Sequence, residues 1–308
     1  MAAQPKDHGI IVGVDGSPAS NAAVCWAAND AVIRHIPLTL VHTINPVATT
    51  WPAIPAPNEF AVWQENEGRR ILADTLKIAR DTTKDNPRTP IETELTFSAA
   101  TPALLGLSKV AKLVVVGNTG RGGLARGLLG SVSSSLVRHS HCPVAVVRDE
   151  EPRVPHPAQA PVLVGLDGSP ASELAIAIAF DEASRRRVDL IALHAWSDRE
   201  IIELPGLDWA AVKAEEERLL AEGLAGWREH YPDVKVSTLL VCDRPSRVLV
   251  ETSEAAQLVV VGSHGRGGFT GMLLGSVSNA VVQSARTPVI VARPSSSRRP
   301  IRTGKKSV

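Results

Sequence analysis

One unit is written twice in this chain, and that duplication restricts its architecture more than any other property. Residues 9–31, GIIVGVDGSPASNAAVCWAANDA, align with residues 161–183, PVLVGLDGSPASELAIAIAFDEA, at an offset of 152. Residues 36–44 and 188–196 keep that offset, which falls to 145 at two glycine-rich stretches, so the second copy is seven residues shorter in between. A repeat of this length is a whole domain and not a turn of a solenoid. At 308 residues with 44% hydrophobic content, the chain can fill two cores of ordinary size. The boundary falls in RDEEPRVPHPAQAP, residues 148–161, where four prolines and mixed charge make a semi-extended connection. The expected division is a first domain at 1–150, a linker at 151–160, a second domain at 161–294 and a basic tail at 295–308 that lacks the composition of a packed segment.

Within each unit, short β-branched runs alternate with longer helical patterns, as in a parallel sheet built from βα crossovers. In the first copy the strands are expected at 9–15, 37–43, 91–97, 112–117 and 143–147, with helices near 17–34, 58–84, 101–110 and 130–140. Ser17 before Pro18, and Ser169 before Pro170, read as N-caps followed by proline at the first helical position. The fold class is α/β: two tandem doubly wound, Rossmann-like domains, each an open five-stranded parallel sheet with helices on both faces. Ligands in such sheets bind beyond the strand C-termini, where the strand order reverses.

That edge collects Asp15, Val41 with His42, and Gly117, then Asp167, Leu193 with His194, and Gly262. The loops GNTGRGGLARGLLGS (117–131) and GSHGRGGFTGMLLGS (262–276) each join an apolar strand to a helix start, where unpaired N–H groups attract anions. Gly117, Gly120, Gly130 and Ser131 read as a phosphate cradle, with Gly262, Gly265, Gly275 and Ser276 as its second copy. Either serine hydroxyl can add a donor to phosphate or an oxygen to a divalent ion. Arg121, Arg126 and Arg266 lie close enough in sequence to neutralise charge or to point into solvent. Neither loop ends in the Gly-Lys-Ser/Thr of a Walker-type loop, and neither gives a dinucleotide G-x-G-x-x-G after the strand.

Both copies resemble the universal stress protein family: a first strand ending in VGVDGS or VGLDGS, the pattern G-x2-G-x9-G-[ST], and a final PVAVV or PVIVA strand. The resemblance is closest to the two-domain mycobacterial and actinobacterial members. Similarity to the ATP-binding branch implies one adenine nucleotide per domain. Asp15 and Asp167 would anchor the nucleoside, Val41 and Leu193 would border the adenine, and Gly13, Gly165, Val132 and Val277 would complete the site around the glycine loops. It also implies that the last strands pair between the two domains. The family's usual aspartate before the fourth strand is Lys112 here and Gln257 in the second copy.

Other features limit the function. Lysine plus arginine at 33 against aspartate plus glutamate at 32 gives no electrostatic reason to expect nucleic acid. Three scattered cysteines read as reduced thiols in the cytoplasm, and no apolar run reaches a membrane-spanning length. RHSHC (138–142) has QSART at the matching place, so a metal cluster is the weaker reading; His42 and His194 read as histidines packed at strand ends. The second-copy segment 210–227 places Leu219, Leu220, Leu224 and Trp227 among acidic residues, an amphipathic surface helix. No lysine or acidic residue lies in either glycine loop to hold a metal or orient water. The sequence therefore favours an ATP-binding regulatory or stress-response module, with Mg carried by the nucleotide and turnover slow or absent. A weak ATP hydrolase and a nucleotide-independent interaction module are the alternatives, and a homodimer is the expected assembly.

Overall fold

The computed structural model describes residues 8–45, 58–122, 129–150, 159–196, 209–265 and 273–294. The first half runs β1 (Ile10–Gly13), α1 (Pro18–Arg34), β2 (Leu38–Ile44), α2 (Asn58–Thr82), β3 (Ile91–Phe97), α3 (Ala100–Leu107), β4 (Leu113–Gly117), α4 (Ser131–His139) and β5 (Val144–Val147). The second repeats it as β6 (Val162–Leu166), α5 (Pro170–Arg186), β7 (Leu190–Trp196), α6 (Trp209–His230), β8 (Val236–Cys242), α7 (Pro245–Ser253), β9 (Leu258–Gly262), α8 (Ser276–Ser284) and β10 (Val289–Ala292). The elements expected for the first copy are all present, with ends that coincide or are displaced by at most three residues, most of them within ordinary fraying.

Local chemistry sets the first helix of each half in the same way. Ser17 Oγ accepts the Ser20 amide at 3.2 Å, and Ser169 Oγ accepts the Ser172 amide at 3.3 Å. Both helices end on a left-handed residue, His35 at φ 53° and Arg187 at φ 56°, whose N–H reaches back to carbonyls of the last turn.

The ten strands form one sheet in the order β3-β2-β1-β4-β5-β10-β9-β6-β7-β8. Every pairing within a half is parallel, whereas β5 and β10 meet antiparallel, with Ala145 opposite Ile290. Central strands are buried on both faces, as the unbroken LVVVG runs of β4 and β9 require. The outer strands β3 and β8 are amphipathic and partly exposed. Alternation along the strands splits the core into two layers. Ile10, Val12, Ala145, Val164 and Ile290 belong to one, and Ile11, Val114, Val144, Leu163 and Val291 to the other. Each layer runs unbroken through both halves.

Polar contacts pin the seam on both faces. On the α1/α5 face, Asp30 and Glu182 are fully buried and share Arg34 and Arg186. Arg34 donates to Asp30 at 2.7 Å and to Glu182, while Arg186 donates to Glu182 at 2.9 Å and to Asp30 at 2.7 Å. The Arg186 guanidinium also lies 5.6 Å from the Trp26 ring centre. On the other face, Arg148 donates to the carbonyls of Val282 and Gln283 at the end of α8. Arg293 donates reciprocally to Val137 and Ser140 at the end of α4, at 2.8 and 2.9 Å. A guanidinium at a helix C-terminus satisfies carbonyls that the helix cannot.

Candidate functional site

The strand C-termini of each half converge on one edge. Because β5 and β10 are antiparallel, the edges of the two halves lie on opposite sides of the sheet. At each, the first strand ends beside the second: Gly13 is level with Val41, and Gly165 with Leu193. Val41 and Leu193 are almost completely buried.

Asp15 and Asp167 follow these strand ends, and the chain then turns through Gly16 at φ 78° and Gly168 at φ 72°, where glycine meets no steric cost. Asp15 Oδ1 accepts the Ser17 amide at 2.9 Å, and Asp167 Oδ1 accepts the Ser169 amide at 3.0 Å. The other oxygen of Asp15 accepts the Arg121 amide at 3.0 Å, tying the carboxylate to the glycine-rich loop. Burial pulls the Asp15 pKa up, but hydrogen bonds from Ser17, Arg121 and Ser20 outweigh it and hold the carboxyl below its ordinary value. Asp15 is thus both a turn cap and a group on the candidate site.

His42 and His194, read from sequence as packed histidines, hold the carbonyl just before each aspartate. Nδ1 of His42 is 2.7 Å from the Val14 oxygen and Nδ1 of His194 is 2.7 Å from the Leu166 oxygen. A carbonyl can only accept, so Nδ1 carries the proton in both rings.

The glycine loops leave β4 and β9 and return at α4 and α8. Gly130 and Gly275 are the N-caps, and neither helix start carries a side-chain cap. Gly130 N–H donates to Asn118 at 2.7 Å and Gly275 N–H to Ser263 at 2.8 Å, so these two amides are already used. The first-turn amides of Ser131, Val132 and Ser133, and of Ser276, Val277 and Ser278, lie outside the intrahelical ladder by geometry. Ser133 and Ser278 donate from their hydroxyls to Gly117 and Gly262 at 2.6 Å, fastening each helix start to the strand it follows.

Packing explains several glycines that the sequence reading assigned to ligand approach. A β-carbon on Gly117 would sit 2.7 Å from the Ala19 carbonyl carbon, and one on Gly262 3.0 Å from that of Ala171. The absent side chains let α1 and α5 start against the strand ends. At Gly13 and Gly165 the space is taken by Leu104 and Leu249. At Gly120 and Gly265 a β-carbon would meet the aspartate Oδ2 at 2.6 and 2.5 Å, so glycine there lets the loop close on the carboxylate.

In the second half these parts enclose a cavity of about 340 Å³. Gly165, Asp167, Leu193, Gly262, Gly265, Gly275, Ser276 and Val277, the complete second-copy set read from sequence, all line it. Ala195, Pro245, Leu249 and Val261 add apolar wall, and His264 adds an imidazole where the first half has Thr119. Pro245 and Leu249 escaped the sequence reading, although proline opening α7 was a visible helix-start signal.

In the first half, Asp15, Gly117, Gly120, Gly130, Ser131 and Val132 occupy the matching places, with Ser131 exposed. Arg121 lies 3.5 Å from Glu67 of α2. Arg126 and Arg266 fall outside the described residues. Among the described residues no group of three or more potential ligands from His, Cys, Asp and Glu forms a metal site. No helix among them is long and apolar enough to cross a membrane.

The universal stress protein family model matches residues 8–148 and 160–293, nearly the whole chain. The chain belongs to the universal stress protein family. It is a tandem member, and its relatives include Universal stress protein Rv2005c of Mycobacterium tuberculosis, 60% identical over 96% of this chain and 100% of the relative. Universal stress protein Rv2623 of the same organism is 56% identical over 96% of this chain and 99% of the relative. Among solved structures, a universal stress protein from Archaeoglobus fulgidus aligns with TM-score 0.66 at 19% identity, over 94% of this chain and 99% of that one, a likeness of fold.

Proposed function

We propose that this universal stress protein binds one adenine nucleotide in each half, at the two strand-end edges, and acts as a regulatory stress-response module with slow or no turnover. The observation that carries the reading is the second-half cavity. Its volume of about 340 Å³ falls in the range of small-molecule sites, and its lining joins an apolar wall to an aspartate, a glycine loop and an uncapped helix start. In this reading Leu193, Pro245 and Leu249 face the base, Asp167 takes the nucleoside hydroxyls, and the Gly275–Ser278 turn takes the phosphates. Asp15, Val41 and the Gly130–Ser133 turn do the same in the first half. The nucleotide is ATP, and Mg arrives with its phosphates, met on the protein side by the Ser131 and Ser276 hydroxyls.

The domain limits 1–150 and 161–294, a cytoplasmic location and a homodimer belong to the same reading; the free thiols of Cys25 and Cys142 support the location. The test is to denature freshly purified protein and quantify released small molecules by mass spectrometry. About two equivalents of ATP per chain is the expected result under the one-site-per-half reading. Absence of nucleotide, together with no uptake of added Mg-ATP by calorimetry, overturns it.

A further inference from the structure

Arg293 does more than fasten the seam. It follows the last strand of the second half, and its guanidinium contacts three carbonyls on two segments from opposite halves. Two of them, Val137 at 2.8 Å and Ser140 at 2.9 Å, close the C-terminal end of α4. The third is Leu273 at 3.2 Å, two residues before Gly275, the N-cap of α8. One planar cation therefore links the return of the second glycine loop to the helix whose opposite end begins the first-half cradle. The sheet makes this reach possible. Because the halves are antiparallel, α4 begins at its own half's ligand edge and ends beside the other half's edge.

We infer that Arg293 is a positioning residue for the second-half nucleotide site. By fixing the Leu273 carbonyl, it aims the first-turn amides of α8 at the phosphate end of the cavity. This inference rests on the nucleotide reading above and deepens it. The chemistry suits arginine and not lysine, because a rigid fork can hold acceptors on two segments at once whereas an ammonium is a point charge on a flexible stem. Arg148, at the matching offset of 145, supplies an internal control. It bridges the halves through Val282 and Gln283 at the other end of α8, away from Leu273. Loss of either arginine removes a seam guanidinium, but only loss of Arg293 releases the loop return.

The experiment uses the full chain with the first site disabled by Asp15→Ala. ATP and adenosine affinities are measured by calorimetry for that chain alone and with Arg293→Gln, Arg293→Lys or Arg148→Gln added, alongside thermal melts. Arg293→Gln is expected to weaken ATP by about tenfold while leaving adenosine nearly unchanged, because only ATP uses the amides being aimed. Arg293→Lys should recover folding stability but little of the ATP preference, and Arg148→Gln should lower the melting temperature with the ATP-to-adenosine ratio intact. An unchanged ratio in Arg293→Gln, or an equal change in Arg148→Gln, overturns the positioning role while leaving the nucleotide reading standing. Should Arg293→Gln fail to fold, the ratio in Arg293→Lys decides. A parent chain that binds neither ligand refutes the nucleotide reading itself, and the inference with it.

Discussion

Replacing Asp30 by alanine tests whether the carboxylate and guanidinium cluster between α1 and α5 holds the halves together. Asp30 and Glu182 have no solvent exposure, and the side chains of Arg34 and Arg186 retain only 14% and 10%. The four charges cancel pairwise, and Asp30 serves both arginines. Without it, two nearly buried cations share Glu182, with only the partly exposed Asp181 at 3.8 Å from Arg34 beside it, so positive charge is left under-compensated away from water. Removing one partner of a buried pair typically costs about 3–5 kcal/mol. At roughly 2–4 °C per kcal/mol for a chain of this order of size, the melting temperature should fall by about 6–20 °C. Thermal and urea melts of the full chain provide the assay. The double variant Asp30→Ala/Arg186→Met should lose less than the single change, because Arg34 and Glu182 then remain a balanced pair. A loss below about 1 kcal/mol for Asp30→Ala, the value of an exposed ion pair, would refute the reasoning. So would a double variant whose cost is the plain sum of the two singles.

Other outcomes follow from the site and the thiols. The folded-state pKa of Asp15 lies below its ordinary 3.8, so its contribution to stability is present above that value and is lost as pH falls through the lowered pKa. The stability gap between the wild type and Asp15→Asn should therefore be open at neutral pH and close in strong acid; a gap that widens on acidification contradicts the assignment. Gly117→Ala places a β-carbon 2.7 Å from the backbone of Ala19 and should cost about 1–3 kcal/mol even without ligand, as read by urea melts. Burial pushes the Cys142 thiol up to about 11, against hydrogen bonds from Ser140 and Val114, whereas Cys242 is exposed. A thiol reagent at pH 8 should label Cys242 first and reach Cys142 only after unfolding, with peptide mapping as the readout.

Much of the fold could be read because the chain states it twice. The Ser-Pro helix starts, the strand-ending aspartates and the apolar runs of β4 and β9 are local signals, and recurrence at fixed offsets separates them from accident. Pairing of the last strands came from family resemblance, since nothing local to PVAVV or PVIVA sets the direction of its neighbour. Other features depend on contacts between distant segments. Asp30, Arg34, Glu182 and Arg186 look like ordinary solvated helix charges until two helices from different halves are placed together. A signal was nevertheless present: the acid and the arginine recur at the 152 offset, as Arg148 and Arg293 recur at 145. Gly117 likewise invited a ligand explanation because its tight neighbour, Ala19, is almost a hundred residues away in the chain.

The antiparallel junction of β5 with β10 also changes how the protein responds to dilution. If two single-unit chains met along this edge, they would come apart as their concentration fell. Here the partner edge is covalently attached, and a connection of modest length holds it at an effective concentration on the order of millimolar. The paired edge thus persists whether the cell makes few copies or many. Each unit is also free to accumulate its own substitutions without meeting an identical twin, so an imidazole can stand at position 264 while its counterpart stays threonine.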